Sequence, residues 1–203
     1  RKFIEDRVGK LEWGSWEDFK IIREKLIVED ASYEFDVGKL RKKLLLMKIE
    51  ERITDPQAAL NLSEEAFKLF FIERNKVDFF PSVLDELEKL SQKYVLGCLT
   101  NGNANIKMIG IEEFFKFNIS SKDVKANKPS ENHFHEAQKL LDVNRDEILH
   151  IGDHPVNDMQ GAIDYGFKAL WFNPNKEVWN LEGLEKPPEF FSWIGVTEKI
   201  DCL

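Results

Sequence analysis

The sequence predicts an α/β protein in which an all-helical segment precedes a parallel β-sheet. Over about the first 75 residues, apolar side chains recur at the helical period of about 3.6, and no alternating β-branched run interrupts them. From Phe79 onward, short apolar strands alternate with helices of about 10–14 residues, the pattern of parallel strands joined by right-handed crossovers. The turn at residues 78–82 separates the two patterns, so we predict a helical domain over residues 1–78 and a sheet domain over residues 79–203.

Three helices are predicted in the first domain. The first begins after Ser15, a candidate N-cap because Asp18 follows three residues later. The second runs from Val37 to Met47, and the third follows Ser63. The aromatic side chains of this half are most simply core residues of a helical bundle. They are Trp13, Trp16, Phe67, Phe70 and Phe71.

Four strands and three helices are predicted in the second domain. The strands correspond to residues 94–100, 116–120, 147–153 and 168–172. The helices, the last of which ends at Gly166, correspond to residues 79–93, 130–143 and 156–166. Ligands of open parallel sheets bind beyond the carboxyl ends of the strands. Thr100 and Asp153 end two of the predicted strands, so a ligand site is expected beside them.

The composition is that of an ordinary soluble globular protein and excludes several classes of function. No apolar run approaches the roughly 18–20 residues that span a membrane, so no membrane segment is expected. The net charge of −8 argues against general nucleic-acid binding, which needs a basic face, and an anionic substrate would need a local positive site or a bound metal. The two cysteines, Cys98 and Cys202, form no disulfide framework and no metal-ligand spacing, so a reducing cytoplasm is the expected location.

Two aspartates stand out in the stretch "LHIGDHPVNDMQGA". Asp153 ends an apolar strand, and Asp158 follows five residues later at the start of a helix. Two carboxylates at one strand end repel each other unless a cation lies between them. Carboxylate oxygens, completed by water and a substrate phosphate, form the coordination that Mg²⁺ prefers. The plainer alternative is that one of the aspartates caps the helix. His154, a softer type of ligand, is assigned to the surface or to a supporting position.

Two further stretches place anion-binding groups at the same edge. In "LTNGN", Thr100 can donate its hydroxyl and backbone N–H groups around Gly102 can point at a phosphate, although turns rich in Asn and Gly are common. In "KANKPS", Lys128 precedes a proline that stiffens its position, and it could neutralise a phosphate oxygen together with a carboxylate. A solvated loop lysine is the alternative there, and Lys122 and Lys125 are neighbouring candidates.

In this order and spacing, "LTNGN", Lys128 and "GDHPVND" resemble the second, third and fourth motifs of the haloacid dehalogenase superfamily of phosphohydrolases. The run from "DFFPSVLDELEKL" to "KALWFNP" is most similar to the bacterial branch that contains flavin mononucleotide and pyrimidine nucleotide phosphatases. The resemblance implies a three-layer Rossmann-like core, with a helical cap that closes over the site and selects the leaving group. It also implies an Mg²⁺-dependent phosphatase of small phosphorylated metabolites that acts through a phosphoaspartyl intermediate.

The resemblance also implies a role for each matching residue. Thr100 would hydrogen-bond the phosphoryl group, and Asn101 would help to orient it. Lys128 would stabilise the charge on the phosphate and on the nucleophile. Asp153 would ligate Mg²⁺ directly, whereas Asp158 would hold it through water or position Lys128.

The family's first motif, an apolar strand ending in Asp-x-Asp that supplies the nucleophile, has no counterpart in these 203 residues. The sheet order of the family would place that strand between the strand ending at Thr100 and the strand ending at Asp153. Without it, two facing strand edges would stay unpaired, at about 1–3 kcal/mol for each buried unpaired backbone group. We therefore expect about 15–30 further residues before Arg1 in the natural protein, a length set by one strand and its connection.

Two alternatives stay open at this point. A binding or regulatory protein could keep the fold without the first motif, but Thr100, Lys128, Asp153 and Asp158 would then have no evident purpose. A metal-free dehalogenase of the same superfamily would have no need to gather two carboxylates. An Asp-x-Asp upstream of Arg1 would separate an enzyme from a binding protein. The identity of the phosphomonoester and the oligomeric state do not follow from the sequence.

Overall fold

The first half of the molecule is built from helices alone. A computed structural model describes residues 1 to 203, and no strand precedes Gly97. The four α-helices of this half are α1 (Lys2–Val8), α2 (Trp16–Glu29), α3 (Val37–Glu50) and α4 (Pro56–Arg74). A 3-10 turn, Ala31–Glu34, connects α2 to α3. Nowhere does the molecule contain a helix that is both long enough and apolar enough to cross a membrane.

Capping residues determine where α2 and α3 begin. Ser15 and Asp18 form the predicted capping box at the start of α2, since each side chain accepts a hydrogen bond from the backbone N–H of the other residue. The carboxylate of Asp36 accepts a hydrogen bond of 2.8 Å from the backbone N–H of Lys39 at the start of α3. These local signals confirm the predicted start of both helices.

The fourth helix begins earlier than the sequence predicts. It starts at Pro56 and not after Ser63, because Asp55 accepts a hydrogen bond from the N–H of Gln57 and proline suits the first helical position. Ser63 is buried in the middle of the helix, where its hydroxyl donates to the carbonyl of Leu60 at 2.8 Å. A serine that bonds the preceding turn in this way can lie inside a helix, so it marks no start here.

The buried core of the helical half is aliphatic, so the prediction of an aromatic core is wrong for Trp16, whereas Trp13 packs against the core as a partly buried side chain. Its buried cluster contains Ile4, Leu11, Ile49, Ala59, Leu62 and Ala66. Trp16 is 67% exposed and stacks only on Phe19, at 4.9 Å between ring centroids. Trp13, Phe67, Phe70 and Phe71 are half-buried. The small side chains Ala59 and Ala66 of α4 are buried in this cluster together with Ile49 of α3.

The second half alternates strands and helices as predicted. Its helices are α5 (Val83–Lys93), α6 (Ile106–Ile109), α7 (Ser121–Val124), α8 (Asn132–Leu141), α9 (Gly161–Tyr165) and α10 (Val196–Ile200). Its strands are β1 (Gly97–Thr100), β2 (Phe117–Ser120), β3 (Leu149–Gly152), β4 (Lys168–Phe172) and β5 (Glu189–Phe190). The strand β5 and the short helices α6, α7 and α10 are additions to the sequence-based prediction. The domain boundary between residues 78 and 79 stays a prediction.

The strands form two parallel sheets. One sheet pairs β1 with β2, with Thr100 opposite Ser120. The other has the order β3-β4-β5, with Gly152 opposite Trp171. β1 and β3 do not pair with each other, so each keeps one edge without a strand partner. A strand of the family between β1 and β3 stays a prediction.

Helices cover both faces of the β3-β4-β5 sheet, which makes three layers. Successive residues of β4 point to opposite faces. Ala169 and Trp171 join a cluster with Phe134 of α8 and Ala162 of α9. Leu170 joins the opposite cluster, whose other buried members are Leu90, Phe190 and Val196. This arrangement confirms the predicted α/β class with a parallel sheet between helical layers.

Candidate active site

A buried ion pair between Lys128 and Asp158 lies at the carboxyl edge of the strands. The ammonium nitrogen of Lys128 is 2.6 Å from Oδ1 of Asp158, and both side chains are 8% exposed. The same nitrogen donates a 3.0 Å hydrogen bond to the carbonyl of Leu99 in β1. Lys128 therefore links the end of β1 to the segment that follows β3. The alternative that Lys128 is a solvated loop lysine is wrong, because its charge is buried and paired.

Asn101 holds the main chain of Lys128 on both sides. Its Nδ2 donates to the carbonyl of Lys128 at 2.9 Å, and its Oδ1 accepts the backbone N–H of Lys128 at 2.7 Å. Oδ1 also accepts the hydroxyl of Ser121 at 3.2 Å. The side chain of Asn101 therefore positions Lys128 in this structure. A direct contact between Asn101 and a phosphoryl group stays a prediction.

Thr100 presents its hydroxyl at the end of β1. The sequence predicts that the backbone N–H of Gly102 can point at a phosphate. In the structure this N–H already donates a hydrogen bond to Thr100 Oγ1 at 2.9 Å. Because Oγ1 serves as the acceptor, the hydroxyl hydrogen of Thr100 stays free to donate to an anion. The Thr100 hydroxyl is therefore more available to an anion than the Gly102 amide, and anion binding by either group stays a prediction.

The carboxylate of Asp158 is enclosed by donors. Oδ1 faces Lys128 and lies 3.4 Å from Nε2 of His150, and Oδ2 accepts the backbone N–H of His154 at 3.0 Å. Burial alone would raise the pKa of Asp158, but His150 and Lys128 outweigh it and hold this pKa well below the ordinary range. The surroundings of Asp158 therefore favour its ionised form.

Asp153 and His154 differ from Asp158 in their surroundings. Asp153 is exposed, and its carboxylate makes no hydrogen bond or ion pair within the protein. Its backbone carbonyl accepts the indole N–H of Trp171 at 2.9 Å. His154 caps the helical turn Pro155–Gln160, because its Nδ1 accepts the backbone N–H groups of Val156 and Asn157. The N-cap of this turn is therefore His154 and neither aspartate, although the side chain of Asp158 accepts the backbone N–H of His154.

The residues present fit a metal ion only in part. No three histidine, cysteine, aspartate or glutamate side chains are grouped as metal ligands. The free carboxylate of Asp153 suits a hard cation such as Mg²⁺. Both oxygens of Asp158 already accept hydrogen bonds, so Asp158 fits the second of its predicted roles, the positioning of Lys128.

Two histidines beside the site, His133 and His150, were not identified from the sequence. His133 of α8 is fully buried, with Nε2 at 3.2 Å from the carbonyl of Thr100 and no partner for Nδ1. Burial lowers the pKa of His133 to about 4. His150 lies on β3 against Asp158. The sequence does indicate a role for His150, because a histidine inside the apolar strand "ILHIG" needs a polar partner when it is buried. The stretch "ENHFHEA" gives no comparable indication for His133.

Comparison with known proteins identifies the relatives of this chain. A family model described as haloacid dehalogenase-like hydrolase matches residues 27–172. The 5-amino-6-(5-phospho-D-ribitylamino)uracil phosphatase YigB of Escherichia coli is 34% identical over 101 residues, covering 50% of this chain and 42% of that protein. The (S)-2-haloacid dehalogenase 2 of a Pseudomonas species is 32% identical over 121 residues, covering 57% and 52%.

A solved structure extends the similarity over nearly the whole chain. The 2-haloacid dehalogenase from Pseudomonas syringae pv. Tomato superposes with a TM-score of 0.85 at 32% identity, covering 93% of this chain and 82% of that one. The chain spans only about half the length of the two curated relatives, the Escherichia coli phosphatase and the Pseudomonas haloacid dehalogenase. Thr100, Lys128, Asp153 and Asp158 all lie inside the matched family segment.

Proposed function

The chain belongs to the haloacid dehalogenase-like hydrolases, and from this premise we propose that its protein hydrolyses small phosphomonoesters of the nucleotide or flavin mononucleotide type. The observation that carries the proposal is the buried Lys128–Asp158 pair next to the free hydroxyl hydrogen of Thr100. A fixed ammonium group and a hydroxyl donor at one strand edge match the negative oxygens of a phosphoryl group.

The proposed reaction passes through a phosphoaspartyl intermediate. An aspartate attacks the phosphorus, the bond to the leaving-group oxygen breaks, and water then cleaves the acyl phosphate to release inorganic phosphate. Lys128 would neutralise charge on the phosphoryl oxygens while Asp158 and Asn101 hold it in place. The nucleophile would be the aspartate of the family's first motif.

We further propose that Mg²⁺ assists this reaction. Asp153 would hold the ion, which when bound offsets the repulsion between the nucleophile and the phosphate. Asp158 would contribute through water or through Lys128. The reducing cytoplasm is the proposed location, supported by two cysteines that are both free.

Release of halide from 2-haloacids is the second candidate function. It is favoured by the similarity to the Pseudomonas syringae structure described as a 2-haloacid dehalogenase. The non-catalytic alternative is less well supported, because a binding protein would have no need of the buried Lys128–Asp158 pair at the strand edge.

An assay of the full-length protein separates these functions. Phosphate release from para-nitrophenyl phosphate, a nucleotide and flavin mononucleotide is measured with Mg²⁺ and with EDTA, beside chloride release from 2-chloropropionate. We expect phosphate release that EDTA abolishes and that Asp153→Asn and Lys128→Met reduce. The exposed Lys122 supplies the matched control Lys122→Met, which should keep full activity. Activity that survives EDTA or Asp153→Asn would contradict the metal-assisted mechanism.

A further inference from the structure

Two arginines of the helical half border the loop that follows β1. Arg74 is the last residue of α4, and its Nη2 lies 3.7 Å from the position that a Cβ on Gly102 would take. Thr100 Oγ1 lies 3.3 Å from the same position. The guanidinium group of Arg74 therefore lies beside the proposed phosphoryl-binding hydroxyl, although it belongs to a different half of the chain.

Arg41 of α3 is the second arginine. Its guanidinium lies over the ring of Phe70, with 4.1 Å between its carbon and the ring centroid. Phe70 lies one turn before Arg74 on α4, so this ring contact places Arg41 beside the end of α4. Burial lowers the pKa of Arg41, and the charge of Arg74 lowers it further.

Neither arginine has a counter-ion in the protein. None of the ion pairs of the molecule includes Arg41 or Arg74. The chain has 37 acidic residues against 29 lysines and arginines, so carboxylates are plentiful elsewhere. Both arginines are exposed, so their guanidinium groups are open to an anion that is supplied from outside.

The ends of α3 and α4 are fixed onto the loop that follows β1. Buried Asn75 accepts the backbone N–H of Asn105 at 2.8 Å and donates to the carbonyl of Phe71 at 2.7 Å. At the start of α3, a Cβ on Gly38 would lie 3.5 Å from the amide nitrogen of Asn103. These contacts hold the helix segments that carry Arg41 and Arg74 against the site.

We propose that Arg41 and Arg74 bind a second anionic group, a carboxylate or a second phosphate, carried by the leaving group of the phosphomonoester. This inference rests on the proposed phosphatase function, but it replaces the nucleotide or flavin mononucleotide type, whose leaving group is uncharged, by an acidic class of substrate. Lys128 and Thr100 receive the transferred phosphoryl group, and the two guanidinium forks, which match planar carboxylates and phosphates, receive the other anion. The protein therefore prefers diacidic over monoacidic phosphomonoesters.

Matched substrates and variants test the proposal in the full-length protein. The substrates are 3-phosphoglycerate, with a carboxylate, fructose 1,6-bisphosphate, with a second phosphate, and glycerol 1-phosphate, with a neutral leaving group. The variants are Arg41→Gln, Arg74→Gln and, as control, Arg23→Gln in α2. We expect kcat/KM for at least one of the two acidic substrates to fall about tenfold in both site variants. The value for glycerol 1-phosphate should change less than about twofold, and the control should match the wild type.

The outcomes show whether the second anion is a carboxylate or a phosphate, and they show whether the arginines bind it at all. A loss confined to 3-phosphoglycerate identifies a carboxylate, and a loss confined to the bisphosphate identifies a phosphate. An equal loss for glycerol 1-phosphate would overturn the proposal, because the arginines would then serve the transferred phosphoryl group. No loss for any substrate would overturn it as well.

Calorimetric binding gives a readout that does not need turnover. We expect the wild type to bind an acidic compound about tenfold more tightly than glycerol 1-phosphate and the two site variants to lose this preference. If the wild type shows the preference but hydrolyses nothing, the proposed function fails and the anion site stands. If it hydrolyses glycerol 1-phosphate and shows no preference, the anion site fails and the phosphatase function stands. Circular dichroism confirms that each variant is folded.

Discussion

The carboxylate of Asp158 rests directly on the backbone of Gly152. A Cβ on residue 152 would lie 2.4 Å from Cγ of Asp158, closer than non-bonded carbon atoms can approach. Gly152 is the last residue of β3, and its backbone dihedrals lie outside the left-handed region. The site therefore needs glycine here because of space, since any side chain would push away the partner of Lys128.

Gly152→Ala should displace Asp158 and weaken its ion pair with Lys128. We expect an unfolding free energy lower by about 1–3 kcal/mol, from overpacking, and phosphate release reduced at least about tenfold. Urea unfolding and the phosphate assay measure the two effects. Gly9→Ala is the control, because its new Cβ meets nothing within 4 Å and only strains a backbone at φ 82° far from the site. Full activity of Gly152→Ala would show that Asp158 tolerates displacement.

Removing either partner of the buried ion pair should be strongly destabilising. Lys128→Met and Asp158→Asn each leave an unpaired buried group, so we expect a loss of about 3–5 kcal/mol from each. The double variant should lose clearly less than the sum, because no uncompensated charge stays behind. A double-mutant cycle by urea unfolding measures the coupling, with Lys122→Met as a control that changes stability by less than about 0.5 kcal/mol. Strict additivity would mean that the pair is not coupled.

Glu86 should make stability depend on acid pH. Burial alone would raise its pKa, but hydrogen bonds from Lys89 and Thr197 outweigh burial and lower the pKa from the ordinary 4.5 to about 2. Because the folded-state pKa is depressed, this stabilisation is present above pH 4.5 and is lost as the pH falls toward 2.

Glu86→Gln should therefore lower the unfolding free energy by about 1–3 kcal/mol at pH 7. The difference from the wild type should shrink as the pH falls from 4.5 to 2. Thermal unfolding at a series of pH values measures both, and the exposed Glu88→Gln on the same helix should show neither effect. A difference that stays constant down to pH 2 would contradict the assignment.

His133 should contribute a second pH dependence in a higher window. Its folded-state pKa of about 4 lies below the ordinary 6.5, because burial disfavours the imidazolium form. The unfolded chain therefore binds the proton first, and stability falls as the pH drops from 6.5 toward 4.

His133→Leu should flatten part of this pH dependence. The variant removes the buried imidazole, and its exposed neighbour His135 supplies the control His135→Leu, which should keep the wild-type slope. Unfolding free energies between pH 7 and pH 4 give the slopes. An unchanged slope in His133→Leu would show that His133 is not the group that binds the proton on unfolding.

Local signals predicted the features that depend on near neighbours in the chain. The Ser15–Asp18 box starts α2 as predicted, and the apolar strands end at Thr100 and beside Asp153, because caps and alternation act within a few residues. The order of three short motifs also indicated the family that the chain belongs to. Where a local signal was overlooked, at Asp55–Pro56, the predicted start of α4 was wrong.

Relationships between distant segments did not follow from those signals. Periodicity shows that a helix has an apolar face but not how deeply each ring is buried, so Trp16 was wrongly placed in the core. Arg41 and Arg74 lie 33 positions apart in the chain, and the sequence does not distinguish them from the other charged residues of their helices. Their approach to each other depends on how α3 and α4 pack and on Asn75, which binds the end of α4 to the loop after β1.

The sequence alone determined the α/β class, the helical first half and the residue types Thr100, Lys128, Asp153 and Asp158 at one strand edge, since strand ends and turn residues are encoded locally. Tertiary structure alone decided that Asp158 binds Lys128 while Asp153 stays free, because that choice depends on Gly152 having no side chain and on donors from several elements. Burial and electrostatic pairing are properties of assembled neighbours, and they appear only when separate parts of the chain meet.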